Sequence, residues 1–71
     1  MNKTIVDSSN IAAIGYDANS QTLEVEFLNG SIYQYYAVPQ YIYDGLMSAD
    51  SHGKYFDANV KKEGYAYKRI S

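Results

Sequence analysis

Apolar positions along this chain recur every second residue, then every third or fourth, then every second again, and each change of spacing marks an element. The stretch from Met1 to Ser9 is polar apart from Ile5 and Val6 and reads as a lead-in. Ile11-Ala12-Ala13-Ile14-Gly15-Tyr16-Asp17 is short and apolar with β-branched character, which predicts a first strand. Asp17 to Gln21 is a turn cluster, because Asp, Asn and Ser side chains bond nearby backbone groups. Thr22-Leu23-Glu24-Val25-Glu26-Phe27 alternates strictly, the pattern of a half-buried second strand with Leu23, Val25 and Phe27 inward. Asn29-Gly30 is a strong hairpin signal, and Ser31 to Val38 reads as the third strand.

The register of that hairpin decides which face its tyrosines occupy. A two-residue Asn29-Gly30 loop would set Tyr33 opposite Glu26 and Tyr35 opposite Glu24, placing both rings on the polar face. A three-residue Leu28-Asn29-Gly30 loop with Gly30 left-handed in a bulge sets Tyr33 opposite Val25 and Tyr35 opposite Leu23. Slipping by one residue turns every side chain over, so only one register can hold. The three-residue loop also keeps Gln34 off the apolar face, and it is the register expected here. Tyr33 and Tyr35 are then mostly buried core residues and not an open platform for stacking.

Beyond Val38 the spacing becomes helical. Pro39 suits the first turn of a helix, where its missing N–H costs nothing. Ile42, Leu46 and Ala49 follow on one face with Tyr43 and Met47 alongside, while Gly45 weakens the interior. Ser51 can cap a second helix running to about Lys62, with Phe56 and Val60 sharing a face at i, i+4. Glu63-Gly64 stops it, and Tyr65 to Ile70 alternates again as a final strand joining the sheet. The expected fold is a single α+β domain over residues 1–71, ordered β-β-β-α-α-β, with a helical layer on one face of a small antiparallel sheet.

Those residues in that order resemble the KTSC domain, named for the C-terminal domain of some lysyl-tRNA synthetases and found also as a free-standing small protein in bacteria and phages. The resemblance runs through Ile14-Gly15-Tyr16-Asp17, Leu23 to Phe27 with Gly30, Tyr33-Gln34-Tyr35 and Val38-Pro39. It continues through Ala49, Ser51, Gly53-Lys54-Tyr55-Phe56, Val60 and Tyr65-Ala66-Tyr67-Lys68-Arg69-Ile70, covering nearly the whole chain after the first few residues. What it implies is a domain of unknown function for which RNA binding has been suggested, with no catalytic residues to carry over.

Composition explains how so short a chain can fold. In 71 residues there are nine Tyr and two Phe, and each aromatic ring can bury about 150–250 Å² while freezing few rotors. The absence of Cys excludes a disulfide scaffold, a thiolate metal site and a cysteine nucleophile. No apolar run approaches the roughly 20 residues of a membrane span, and no signal-peptide core opens the chain, so a cytoplasmic protein with no membrane role is expected.

Net charge is −2, but its distribution is uneven. Residues 1–50 carry one cation, Lys3, against six acids (net −5), and residues 51–71 carry five cations against two acids (net +3). The basic segment interleaves Lys54, Lys61, Lys62, Lys68 and Arg69 with Tyr55, Tyr65 and Tyr67, the composition of a nucleic-acid surface. In that reading the five cations meet phosphates while Tyr65 or Tyr67 stacks on bases. The bland alternative is a solvated face whose Lys61 and Lys62 favour a helix C-terminus. A different class of function is a protein-interaction module that uses the acidic strand carrying Glu24 and Glu26, or an open sheet edge.

Enzyme chemistry finds little support. His52 is the only histidine, and its neighbours Asp50 and Ser51 are too close in sequence to converge on it as a triad does, so it reads as an exposed loop residue. Scattered carboxylates and one His make no metal set. Asn29-Gly30 and Gly53 lack phosphate-loop spacing. A binding module without catalytic residues, metal or cofactor is expected, with RNA or another protein as partner.

Overall fold

A computed structural model describes all 71 residues. Four strands come first: β1 (Lys3–Ile5), β2 (Ile11–Asp17), β3 (Thr22–Phe27) and β4 (Ile32–Tyr35). Two helices follow, α1 (Gln40–Ser48) and α2 (His52–Asn59), then a 3-10 turn (Lys61–Glu63) and a last strand, β5 (Tyr67–Arg69). The strands form one sheet in the order β1-β2-β3-β4-β5, with every neighbouring pair antiparallel. The helices lie in the connection from β4 to β5 and cover one face, so the α+β class and the single helical layer are as expected.

The hairpin takes the three-residue register. Leu23 pairs with Tyr35 and Val25 with Tyr33. Gly30 is left-handed at φ 91°, and Phe27 N donates to Ser31 O at 2.9 Å to close the loop. The Asn29 side chain holds the turn from inside, accepting from Ser31 N and from Ser31 Oγ. Tyr35 is buried as expected, whereas Tyr33 is only half-buried.

Two departures from simple alternation shape the sheet. Ile11 and Ile14 are three residues apart, yet both are fully buried on the helix side. A bulge reconciles them: Ile11 pairs with Phe27 and Ala13 with Glu26, leaving Ala12 as the extra residue. The second departure corrects the lead-in, because Lys3–Ile5 forms a strand that pairs with Ala13 to Gly15. Gly15 makes room for it, since a Cβ there would come within 2.9 Å of Asn2 O and of the Lys3 side chain. Three residues with Ile5 left outside show no burial pattern of their own, which is why the alternation rule passes over them.

The helices end where their residues dictate. Ser51 Oγ accepts from Lys54 N at 3.3 Å and caps α2. The second helical stretch is not continuous to Lys62; it breaks at Val60, and a separate 3-10 turn runs into left-handed Gly64. Gly45 lies in the interior of α1 because Tyr55 of α2 packs against it, and a Cβ there would overlap the Tyr55 hydroxyl. Ile42, Leu46, Phe56 and Val60 close the core over Ile11, Ile14, Leu23, Val25, Tyr35 and Val38.

Candidate nucleic-acid interface

β5 is an edge strand beside β4, with Tyr35 opposite Tyr67, Gln34 opposite Lys68 and Tyr33 opposite Arg69. Cross-strand partners share a face, so Tyr67 and Arg69 join the helix-covered side and Lys68 falls on the other. Backbone bonds prolong this pairing on both sides, from Tyr36 N to Ala66 O and between Ile32 and the Ile70–Ser71 end. Being at the rim, Tyr67 keeps 63% of its surface exposed although its ring lies 5.6 Å from Tyr35 and 6.1 Å from Tyr33.

A cleft of about 490 Å³ opens where β5 passes α2. Phe27, Tyr33, Tyr35, Phe56 and Tyr67 line it as a continuous aromatic wall. The rings meet edge to face at Phe27–Phe56 (5.6 Å) and Tyr35–Phe56 (5.4 Å), the preferred arrangement for their quadrupoles. Polar groups complete the lining: Asn10, Asn29 and Ser31 from the β2–β3–β4 side, Gly53, Asp57 and Lys61 from the helical side. Burial, and then the neighbouring phenols of Tyr33 and Tyr67, pushes the Tyr35 hydroxyl up to about 12, so it stays protonated at neutral pH.

The seven residues of the basic segment do not form one surface. Lys61 and Tyr67 reach the cleft, and Arg69 stands beside Tyr33 with its Nε donating to Ser71 O at 2.9 Å. Lys62 is paired with Asp57 at 3.1 Å. Lys54 is exposed on α2, and Lys68 sits across the sheet. Tyr65 is half-buried, and its phenol is raised first by that burial and then by Tyr41, Glu63 and Tyr55, which places it in a different tyrosine group from Tyr67.

Most of the cleft lies outside that segment. Phe27, Tyr33, Tyr35 and Phe56 read as core from their spacing, and they do face the core side. The register Tyr35–Tyr67 was the missing signal, because it sets a tyrosine of the last strand against the hairpin tyrosines.

Other candidates are committed locally. His52 is not in a loop: it opens α2, half-buried, with Nδ1 donating to Leu46 O at 2.7 Å. Ser51 is spent on its cap. Glu24 and Glu26 are not a free acidic face, because Lys3 of β1 lies 3.3 Å from one carboxylate and 2.8 Å from the other, and Gln34 donates to Glu24. The Glu26 hydrogen bond is the main reason the Lys3 ammonium is raised above its ordinary value. No helix is long and apolar enough to cross a membrane.

Comparison with known proteins places this geometry. An uncharacterised protein of Stutzerimonas stutzeri is 41% identical over 70 residues, covering 99% of both chains. A lysine–tRNA ligase of Nostoc sp. is 38% identical over 65 residues, which is 92% of this chain but 11% of that enzyme. The crystal structure of a KTSC domain protein from Yersinia pestis superimposes with a TM-score of 0.88 at 38% identity, over 99% of this chain and 97% of that one. The KTSC domain profile itself matches residues 7–65, and the chain belongs to the KTSC domain family.

Proposed function

We infer that this domain is a non-catalytic module that binds single-stranded RNA, with bases on the aromatic cleft and phosphates on the cations at its rim. One observation carries the reading: an exposed tyrosine, Tyr67, stands over two further tyrosines with Lys61 in the same cleft and Arg69 two residues along the strand on the same face. Aromatic rings that stay partly open accept any base by its flat face, at about 1–3 kcal/mol per base. Cations beside them hold the backbone and make binding salt-dependent. The family context points the same way, since related segments occur inside lysine–tRNA ligases.

Of the basic segment, Lys61, Tyr67 and Arg69 form the centre of this surface. Lys54 adds charge on the helical side, where Lys62 is engaged with Asp57. Lys68 and Tyr65 face elsewhere and contribute least.

Fluorescence anisotropy with a labelled single-stranded RNA, at low and at physiological salt, tests the reading. Tyr67→Ala should weaken binding about tenfold, in line with the loss of one stacked base. Lys61→Ala and Arg69→Ala should each lower the salt slope by about 0.7, the value for one lost phosphate contact on a single strand. Absence of binding at low salt, where charge attraction is exaggerated, would overturn it.

A further inference from the structure

We propose that the open edge of β1 takes a second copy of this chain, the two strands pairing antiparallel about Thr4 so that two five-stranded sheets join into one. Such a dimer leaves both aromatic clefts open, because β5 lies at the far edge of each sheet, and it holds whether or not RNA is the ligand.

The sheet has two open edges, and their backbones are equally available. Val6 N donates to Ala12 O at 3.1 Å, and antiparallel bonds alternate along a strand. Thr4 and Val6 therefore face β2, while Lys3 and Ile5 direct their N–H and C=O groups outward. At the other edge the bonds from Tyr36 N to Ala66 O and from Ile70 N to Ile32 O turn the backbone groups of Tyr67 and Arg69 outward in the same way.

Side chains tell the two edges apart. β5 carries Lys68 and Arg69, and neither is in an ion pair. Cations on an edge strand oppose pairing, and a symmetric pairing about Lys68 would set two lysines directly opposite each other. The one cation of β1 is withdrawn from its edge. Lys3 lies over Gly15 and places its ammonium on Glu24 and Glu26 of β3, at 3.3 and 2.8 Å. What remains at that edge is Thr4 and Ile5, both β-branched and exposed, with Ile5 at 86%.

This edge is complementary to itself. In the pairing about Thr4, Lys3 and the partner's Ile5 exchange both backbone bonds, and so do Ile5 and the partner's Lys3. Thr4 meets the partner's Thr4 in the closely spaced position between them, a favourable cross-strand pair. Ile5 lies diagonal to the partner's Ile5, within reach on the face away from the helices. No unpaired charge stands at this edge to draw in a charged peptide instead. A two-fold pairing uses up both β1 edges and closes, whereas β1 on β5 of the next copy would extend without end.

Three residues a side make a small contact, so the dimer is weak, and sedimentation equilibrium of the intact protein should cover about 10 μM to about 1 mM. The weight-average mass should rise from one chain towards two and no further. Ile5→Pro removes an outward N–H and leaves the bonds of Thr4 and Val6 to β2 in place, so it should weaken association about tenfold or more. Unchanged amide shifts at Ile14 and Gly15 would show that β1 still pairs in this variant. In a mixed labelled and unlabelled sample, an intermolecular NOE between the Thr4 Hα protons should fix the register. A monomer throughout the range, growth beyond two chains, or association that survives Ile5→Pro with β1 in place would each overturn the proposal.

Discussion

The helix-covered face of the sheet has two unlike halves. Over β2 and β3 the wholly buried side chains are aliphatic, Ile11, Ile14, Leu23 and Val25, with Leu46 of α1 packed on them. Toward β4 and β5 they are tyrosines: Tyr35 is buried, Tyr33 half-buried and Tyr67 mostly exposed. The same alternation rule built both halves, but the helices seal only the first. Aliphatic residues suit the sealed half because they have no polar atom to satisfy, and tyrosines suit the open half because their hydroxyls can meet water or a ligand. On the function proposed above, stability lives in one half and recognition in the other.

The largest effect expected from breaking that division is in the sealed half. Leu46→Ala removes a fully buried side chain and should cost about 2–5 kcal/mol, enough to unfold much of the population of so small a domain. Urea denaturation followed by circular dichroism measures it. Tyr35 marks the boundary between the halves. Its phenol is raised from 10.0 to about 12 in the fold, so the unfolded chain loses that proton first as the solution becomes alkaline. Stability on the order of 2 kcal/mol is therefore present below pH 10 and disappears between roughly pH 10 and 12. Tyr35→Phe should flatten the alkaline limb of the stability curve.

A smaller loss is expected at Gly45. In an open helix, Gly→Ala would gain about 1 kcal/mol of propensity. Against the Tyr55 hydroxyl the new methyl group must push α1 away from α2, for a net loss of about 1–2 kcal/mol by the same denaturation measurement. The smallest effect on stability belongs to the open half. Tyr67→Ala should lower stability by less than about 1 kcal/mol, since most of the ring is already in water, while RNA affinity drops about tenfold. A large loss of stability in this variant would mean that Tyr67 is core after all.

Much of this arrangement is legible in the sequence. The strict alternation from Thr22 to Phe27, Asn29-Gly30, and the need to keep Gln34 off the apolar face together fix the hairpin register. Pro39, the Ile42–Leu46 spacing, and Ser51 ahead of Phe56 and Val60 place the helices. What escapes is long-range. β1 exists because Lys3 finds Glu24 and Glu26 across the sheet and because Gly15 leaves room beneath it, and neither fact is visible within residues 1–9. The cleft escapes for a related reason: alternation tells which way Tyr33 and Tyr35 point, not whether a helix will reach far enough to cover them. Charge was misleading in the same way, since Lys68 and Arg69 are adjacent in sequence yet lie on opposite faces of the sheet.

The central claim is that the open half is the binding surface. An amide-shift titration of labelled protein with a mixed single-stranded RNA, at low and then physiological salt, tests it most directly. The account predicts shifts at Asn10, Asn29, Tyr33, Gly53, Asp57, Lys61 and Tyr67 that shrink as salt is added. Shifts centred instead on Lys3, Gln34 and Lys68, across the sheet from the cleft, would contradict it.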